Sequence, residues 1–255
     1  MRIVPNLKKK SMNGDNPIAP DAWQKIQKIL VILAHPDDPE FFCGATLARW
    51  VQAGHKIDYL LLTNGNKGGG TDVSPEELRL MRHTEQKKAA AIIGAQSVRF
   101  LDLEDGYLVP SLELRRDMVR AIRREKPDIL VTCDPTLQYT WLGRVNHPDH
   151  RATGQVVLDA VFPAAGNGHF FPELLSNDGL QPHTPKEVWV SLPTSPTVTL
   201  DVTETWDVKM KALKEHKSQI GDPFIFEQRM RSRRTEDSTD EAPRYEEKFR
   251  VLKFV

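Results

Sequence analysis

The feature that most constrains this chain is an apolar run that stops abruptly at a cluster of polar residues and prolines. Residues 29–34 are all apolar, and the segment His-Pro-Asp-Asp-Pro follows them directly at residues 35–39. Such a run predicts a strand buried on both faces, as in a parallel sheet, and the prolines end it. Because open α/β folds bind ligands at the carboxyl edge of the sheet, we expect a functional site there.

A second strand pattern, at residues 129–134, is followed by a related cluster. The segment Asn-His-Pro-Asp-His occupies residues 146–150, so two histidines flank one aspartate. Taken singly, each cluster is also typical of a helix start, where Asp caps the first turn and Pro fits its first position. Capping accounts for one aspartate in the first cluster, but it explains neither the second aspartate nor the histidine. Two such clusters after two strands therefore indicate a shared metal site.

The rest of the chain alternates between strand and helix patterns. Helices are predicted near residues 42–53, 74–93, 111–126, 150–162 and 205–219, and strands at 56–63, 98–103, 187–192 and 197–202. This alternation predicts an α/β fold with a mainly parallel sheet. Residues 1–22 lack periodicity and are predicted to form an N-terminal arm, residues 23–255 a single domain, and residues 164–185 a long loop that rims the site.

Composition excludes several classes of function. The 35 basic and 35 acidic residues cancel, so no overall field favours nucleic acid or an anionic membrane surface. The chain has no apolar run near the ~20 residues of a membrane span. No apolar stretch follows the lysines at residues 8–10, so a signal peptide is not predicted. Its two cysteines, Cys43 and Cys133, lie in apolar contexts and indicate no disulfide framework. We therefore expect a cytoplasmic protein without nucleic-acid partners or stable membrane insertion.

The two clusters suggest a division of chemical roles. His35 and Asp38, with one histidine of the second cluster, would form a three-ligand site of the kind that catalytic zinc uses; iron(II) also suits these donors. Asp37 is left over and would act as general base on a water. The second histidine of that cluster would donate a proton or stabilise an oxyanion, and Asp149 would orient that imidazole. The predicted reaction is metal-assisted hydrolysis of an amide or related carbonyl.

Other polar residues are candidates for substrate contact. Asn64 begins a glycine-rich segment, residues 64–70, which lacks the dinucleotide and phosphate-loop patterns and is interpreted as a substrate-side loop. Arg82 and Glu85 share a face of a predicted helix, where a solvated salt bridge is the common arrangement. The irregular segment 136–144 is either a pocket wall or a packed surface loop.

Taken together, these residues resemble the LmbE-like, or PIG-L, family of metal-dependent N-deacetylases. The resemblance rests on the segments 34–40, 43–48, 63–65, 105–106, 146–154 and 216–219, on Arg82 with Glu85, and on Tyr245 with Phe249 and Arg250. It runs from about residue 29 to the C-terminus. The two histidine-containing segments are specific to the family and the others are supportive.

The resemblance implies a Rossmann-like sheet with helices on both faces, and removal of an acetyl group from an N-acetylglucosamine-type amide. It assigns the zinc ligands to His35, Asp38 and His150, the base to Asp37, and the electrophilic or acid role to His147. The implied partner is a small amino-sugar substrate, and the family together with the N-terminal arm favours a homo-oligomer.

The resemblance also bears on the substrate-binding residues. It implies that Arg82 reaches the sugar side of the substrate and that His216 either lines the pocket or lies on a helix surface. Some members carry a tyrosine where this chain has Val145, and Tyr139 is the nearby candidate to replace it.

Two other functions are compatible with a metal site. A phosphoester or nucleotide hydrolase would keep the metal but requires a basic cradle or a second full ligand set, neither of which is obvious in the sequence. A non-catalytic, metal-stabilised binding module would not need Asp37. The sequence therefore favours the deacetylase.

Overall fold

The computed structural model describes residues 21–69, 72–140 and 143–254, so the predicted N-terminal arm lies almost wholly outside the described residues. The strands are β1 (Lys28–Leu33), β2 (Lys56–Thr63), β3 (Ser97–Leu103), β4 (Ile129–Cys133), β5 (Glu187–Ser191), β6 (Val198–Asp201) and β7 (Glu246–Lys253). The helices are α1 (Asp38–Gln52), α2 (Pro75–Ile93), α3 (Leu112–Glu125), α4 (Pro148–Asp159), α5 (Glu173–Ser176), α6 (Trp206–Leu213), α7 (Lys217–Ile220) and α8 (Pro223–Arg231). A π-helical segment, Ala160–Ala165, continues α4, and a 3₁₀ turn, Thr203–Thr205, precedes α6.

The seven strands form one sheet in the order β3-β2-β1-β4-β5-β7-β6. The five strands from β3 to β5 are parallel, whereas β7 pairs antiparallel with β5 and with β6. Chain order reverses between β1 and β4, which are neighbours, and a crevice opens at the carboxyl ends of strands at such a reversal. Both polar clusters follow these two strands, so the topology brings them to one crevice. The predicted mainly parallel α/β sheet is confirmed.

Strand β1 is buried on both faces, as its uninterrupted apolar run predicts. Ile29, Val31 and Leu33 join the core on one side of the sheet, whereas Leu30 and Ile32 join the core on the other. Successive side chains of a strand point to opposite faces, so each core takes alternate residues. Helices α1, α2 and α6 contribute to the first core, and α3 and α4 contribute to the second.

The region after residue 203 departs from the sequence prediction. A single helix over 205–219 is wrong, because α6 ends at Leu213 and α7 starts at Lys217. Between them His216 leaves helical geometry, with φ −80° and ψ 56°, and its fully buried ring contacts Glu40 of α1. This tertiary contact interrupts the helix. Helix α8 and strand β7 are likewise absent from the sequence prediction.

Helix α1 is built in two parts, and it begins at Asp38 rather than near residue 42 as predicted. Cys43 has non-helical φ and ψ, so the backbone N–H groups of Ala45 and Thr46 are free to donate to Glu247, at 3.2 and 2.8 Å. Asp37 makes no side-chain cap, which removes the simple capping explanation for that residue. Across the part of the chain that the structure describes, no helix has the length and apolar character required to cross a bilayer.

Candidate metal centre

The loop after β1 and the start of α4 bring three donor side chains into contact. His35 Nδ1 lies 3.2 Å from His150 Nε2, and the two Asp38 carboxylate oxygens lie 3.3 Å from the first nitrogen and 3.1 Å from the second. Asp38 is buried, and His35 and His150 are respectively buried and partly buried. The two clusters therefore meet closely enough to share one ion.

Hydrogen bonds on the far side of each imidazole determine which nitrogen faces the cluster. His150 Nδ1 is 3.0 Å from Asn146 Oδ1, whose orientation is fixed because Asn146 Nδ2 donates to the Leu137 carbonyl. The His150 Nδ1 therefore carries the proton. His35 Nε2 lies 3.2 Å from oxygens of both Asp105 and Asp149, so this nitrogen also donates. The lone pairs of His35 Nδ1 and His150 Nε2 consequently face each other.

This donor set fits a small divalent cation. Ligands at about 2.0–2.2 Å in a tetrahedral site lie roughly 3.3–3.6 Å from one another. The separations of 3.1, 3.2 and 3.3 Å come close to that spacing. Burial alone would raise the pKa of Asp38, but His150 and His35 hold it well below its ordinary value, so the residue is a carboxylate. Two imidazole lone pairs and a carboxylate that converge in this way repel one another unless a metal ion or a proton lies between them.

Asp37 remains outside the three-donor set. Its backbone has a φ of 95°, in the left-handed region that a residue with a Cβ rarely adopts. One carboxylate oxygen lies 3.2 Å from Arg82 Nη2, and the side chain keeps 15% of its surface exposed. Burial raises the pKa of Asp37, and the Arg82 guanidinium works against that rise. The structure thus holds an extra carboxylate beside the cluster.

His147 lies beside the same cluster as a neutral donor. Its Nδ1 accepts a hydrogen bond from the Asp149 backbone N–H at 3.2 Å, so its proton is on Nε2. Burial lowers the pKa of His147, and the neighbouring His35 and His150 lower it further. The ring packs edge-on against His35 with a centroid distance of 4.5 Å. His147 therefore presents an N–H donor beside the set formed by His35, Asp38 and His150, and it is not a member of that set.

The Asp149 carboxylate lies in a different place from the one expected. Its expected role is to orient the second-cluster imidazole that is not a ligand, but Asp149 Oδ2 lies 3.2 Å from His35 and 4.0 Å from His147. Its two oxygens also accept from the backbone N–H groups of Gly106 and Leu108, at 2.7 and 3.1 Å. The residue is fully buried. The carboxylate thus fixes the His35 imidazole and the loop after β3, and only the backbone N–H of Asp149 orients His147.

A second group of potential metal donors consists of His35, Asp105, His147 and Asp149. It shares His35 with the first group, and both of its carboxylates contact the protonated Nε2 of that ring. Carboxylates in such positions, bonded to the nitrogen that faces away from the metal, are typical of the groups that orient a metal-binding histidine. No role is predicted from the sequence for Asp105 or Asn146. The position of Asp105 directly after a strand, and that of Asn146 within the second cluster, are the signals that could have identified them.

The glycine-rich loop approaches Arg82 closely. A Cβ on Gly65 or on Gly68 would lie 2.5 Å from Arg82 Nη1, so both positions require glycine for this contact. Arg82 donates to the carbonyls of Gly65 at 2.8 Å and Pro36 at 2.6 Å, and it is 3% exposed. The Arg82 guanidinium thus connects the glycine-rich loop to Pro36 and Asp37 of the first cluster. It does not pair with Glu85.

The remaining three predicted substrate-binding residues lie in contrasting environments. Asn64 is buried, and its side chain bonds with the Asp102 carbonyl and the Asn66 N–H at 3.4 and 3.1 Å. His216 is fully buried on Glu40, so it is not on a helix surface. Tyr139 is 71% exposed and pairs through its backbone with Val145. Their roles in substrate binding stay predictions.

A cavity of about 300 Å³ opens beside His147 and His150. Its lining includes His147, His150, Asn146, Phe41, Phe42, Leu137, Val145 and Leu192. A larger cavity of about 810 Å³ adjoins it, sharing Phe41, Phe42, Leu137 and Leu192 and reaching Tyr139 and Trp206. The Phe42 ring packs edge-on to His150 with a centroid distance of 5.0 Å, so the apolar wall of the cavity lies directly against His150.

Comparison with known protein families agrees with this geometry. The sequence model of the PIG-L family, described as GlcNAc-PI de-N-acetylase, matches residues 30–161, which contain both histidine clusters. The chain belongs to this family. The resemblance proposed from the sequence is therefore confirmed, and so is its expected N-deacetylase class.

Individual relatives support the same conclusion. The chain is 33% identical over 201 residues to a diacetylchitobiose deacetylase of Thermococcus kodakarensis, covering 78% of this chain and 73% of the relative. It is 32% identical over 200 residues to the uncharacterized deacetylase YaiS of Escherichia coli, covering 76% and 92%. The structure of an N,N'-diacetylchitobiose deacetylase from Pyrococcus horikoshii superposes with a TM-score of 0.79 at 29% identity, covering 89% of this chain and 84% of that one.

Proposed function

We propose that this PIG-L family member hydrolyses the acetamide of an N-acetylglucosamine-type saccharide, releasing acetate and the free amino sugar. The observation that carries this proposal is the convergence of two imidazole lone pairs and the Asp38 carboxylate, with the Asp37 carboxylate left over beside them. A purely structural metal site would have no use for Asp37. Membership of a deacetylase family supports the same reaction.

His35, Asp38 and His150 would hold the metal, and zinc or iron(II) suits their donor atoms. When bound, such an ion polarises the amide carbonyl and lowers the pKa of water. Asp37 takes the proton from the attacking water as the oxygen–carbon bond forms, and it delivers that proton to the amine nitrogen as the carbon–nitrogen bond breaks. Arg82 keeps the Asp37 carboxylate oriented throughout, since their atoms lie 3.2 Å apart.

His147 supplies the hydrogen bond that the developing oxyanion requires. Because the Asp149 N–H donates to its Nδ1, the neutral ring presents Nε2–H as a donor. The Nε2 atom lies 3.7 Å from Asp105 Oδ1, too far for a good hydrogen bond, so its N–H stays available to the substrate. Such preorganised donors contribute about 10²–10³-fold to kcat.

The adjoining cavities bear on the size of the substrate. The smaller cavity touches His147 and His150, and the larger one continues past Phe41 and Leu192. We infer that the amino sugar lies in the first and that a substituent at its reducing end, a second sugar or an apolar group, extends into the second. Tyr139 lines the second cavity and would contact that substituent.

The phosphoester hydrolase is the weaker alternative. Arg144 and Arg233 line the smaller cavity. The Arg82 guanidinium beside Asp37, however, is already bound to two backbone carbonyls and to the Asp37 carboxylate. The second donor group shares His35 with the first and serves as its hydrogen-bond partner, so it does not make an independent metal site.

The test is acetate and amine release from a panel of compounds with matched chemistry. The metal-loaded protein is incubated with N-acetylglucosamine, N,N'-diacetylchitobiose and octyl N-acetylglucosaminide, with a nucleotide and a sugar phosphate as controls. We expect acetate release that stops with chelator and returns with zinc or iron(II). Phosphate release would instead support the phosphoester hydrolase, and binding without turnover would support the non-catalytic module.

Two broader predictions accompany this function. A cytoplasmic location is supported by Cys43 and Cys133, which are both buried and free of disulfides. A homo-oligomer stays a prediction that rests on the N-terminal arm and the family. Cell fractionation and light scattering of the full chain test these two properties.

A further inference from the structure

Asp37 has an unfavourable backbone conformation and is contacted by α2 as well as by its own helix α1, where the Phe41 N–H donates to the Asp37 carbonyl at 3.0 Å. Its φ of 95° is strained for a residue that carries a Cβ, and such strain persists only where the surroundings enforce it. Strained residues cluster at functional sites because their conformation points a side chain in a required direction. The neighbours that hold Asp37 therefore control the placement of its carboxylate.

Gln86 of α2 provides one of these contacts. The Asp37 backbone N–H donates to Gln86 Oε1 at 2.7 Å, and Gln86 is fully buried. Arg82 lies one helical turn earlier on the same face, and it binds the Asp37 carboxylate and the Pro36 carbonyl. Helix α2 thus holds Asp37 at both its main chain and its side chain.

The amide of Gln86 is itself fixed by buried groups. Its Nε2 lies 3.1 Å from both Glu40 oxygens, and the Glu40 carboxylate also contacts His216 Nε2 at 3.1 Å. Glu40 and His216 are both fully buried. Since a carboxylate accepts and a backbone N–H donates, the Gln86 amide has only one orientation that satisfies both neighbours. A chain of buried hydrogen bonds therefore runs from His216 through Glu40 and Gln86 to the backbone N–H of Asp37.

We propose that Gln86 is a positioning residue for Asp37 and that Glu40 and His216 hold Gln86 in place, an inference that rests on the proposed function. Gln86 touches neither the donor set nor the cavity beside it. It acts through Asp37 by keeping the left-handed backbone that aims the carboxylate at the water. Loss of this acceptor leaves the Asp37 backbone N–H without a partner and lets the Asp37 backbone leave the left-handed conformation.

The test compares Gln86→Met in two backgrounds. Methionine fills similar space and removes both polar atoms. In the otherwise wild-type protein we expect kcat to fall on the order of 10²-fold, as for a misplacement of about 1 Å, with KM and bound metal little changed. In an Asp37→Ala background the same substitution should produce no further fall, because the residue through which it acts is gone.

A matched control separates this effect from general loss of stability. Gln27 is also a buried glutamine, at the amino end of β1 and therefore at the sheet edge opposite the metal cluster. Gln27→Met should leave kcat within about twofold. Equal losses from Gln86→Met in both backgrounds, or an unchanged kcat in the wild-type background, would overturn the positioning role.

A crystal structure of metal-loaded Gln86→Met supplies a readout independent of turnover. We expect Asp37 to leave positive φ and its carboxylate to move away from Arg82. An unchanged Asp37 would refute the inference even if the wild-type protein proved not to release acetate. Absence of acetate release from wild type, with Asp37 displaced in the variant, would instead refute only the proposed function.

Discussion

At the scale of single residues, hydrogen-bond partners of His35 and His150 determine which nitrogen of each ring carries the proton. Asn146 and the carboxylates of Asp105 and Asp149 accept hydrogen bonds from the N–H groups of the outer nitrogens, so the inner nitrogens present lone pairs. Burial by itself lowers the pKa of His35, but Asp38, Asp105 and Asp149 raise it well above its ordinary value. The same arrangement that invites a cation therefore attracts a proton when no cation is bound.

Substitution of His35 and of Asp37 should separate ligand from base. His35→Ala removes a donor from the set and should lose both bound metal and turnover. Asp37→Ala leaves the three donors intact and should keep its metal while kcat falls by about 10²–10⁴-fold. Metal content by atomic spectroscopy and acetate release measure the two effects. Equal metal loss in both variants would show that the roles of ligand and base are misassigned.

At the scale of elements, the break within α1, the helix that starts in the first cluster, lets this helix bond to β7 and α6. The break at Cys43 exposes a new helix start, and Glu247 of β7 accepts the backbone N–H groups there. Lys209 of α6 pairs with the same carboxylate at 2.6 Å and also donates to the Phe41 carbonyl at 3.0 Å. Lys209 and Glu247 are both buried, so this pair joins α1, α6 and β7.

Removal of the buried lysine should be far more costly than removal of a surface lysine. Lys209→Met leaves an uncompensated Glu247 carboxylate inside the protein and should lower the free energy of unfolding by about 3–5 kcal/mol. Lys28→Met removes a partly exposed partner of Glu125, and we expect about 0–1 kcal/mol. Urea denaturation of the metal-loaded variants measures both values. Similar small losses would mean that the buried pair does not stabilise the junction.

At the scale of the whole molecule, the C-terminal third completes the site from a distance. Strand β7 enters the sheet between β5 and β6, and His216 reaches across from the segment before α7 to Glu40 of α1. Burial lowers the pKa of His216, but its hydrogen bond and charge interaction with Glu40 outweigh this. Asp37 of the first cluster and Glu85 of α2 add to the rise, so the pKa lies above its ordinary value. The protonated ring therefore stabilises the folded state.

This raised pKa predicts a dependence of stability on pH. The folded protein binds the His216 proton more tightly than the unfolded chain, so the stabilisation is fully present below about pH 6.5 and is lost as pH rises through the folded pKa. His216→Gln should flatten the fall in unfolding free energy across that window. His169→Gln, at an exposed histidine, is the control and should leave the curve unchanged. Parallel curves for wild type and His216→Gln would contradict the prediction.

The sequence by itself determined the parallel part of the sheet, the two polar clusters at its carboxyl edge and the family. Those features are local: an apolar run has to be buried, prolines end it, and parallel strands align their carboxyl ends. The break before α7, the place of β7, and the partners Gln86, Glu40 and Asp105 depend on side chains far apart in the chain. Only the tertiary structure decided them, because a buried polar group takes whichever partner the packing brings within hydrogen-bonding distance.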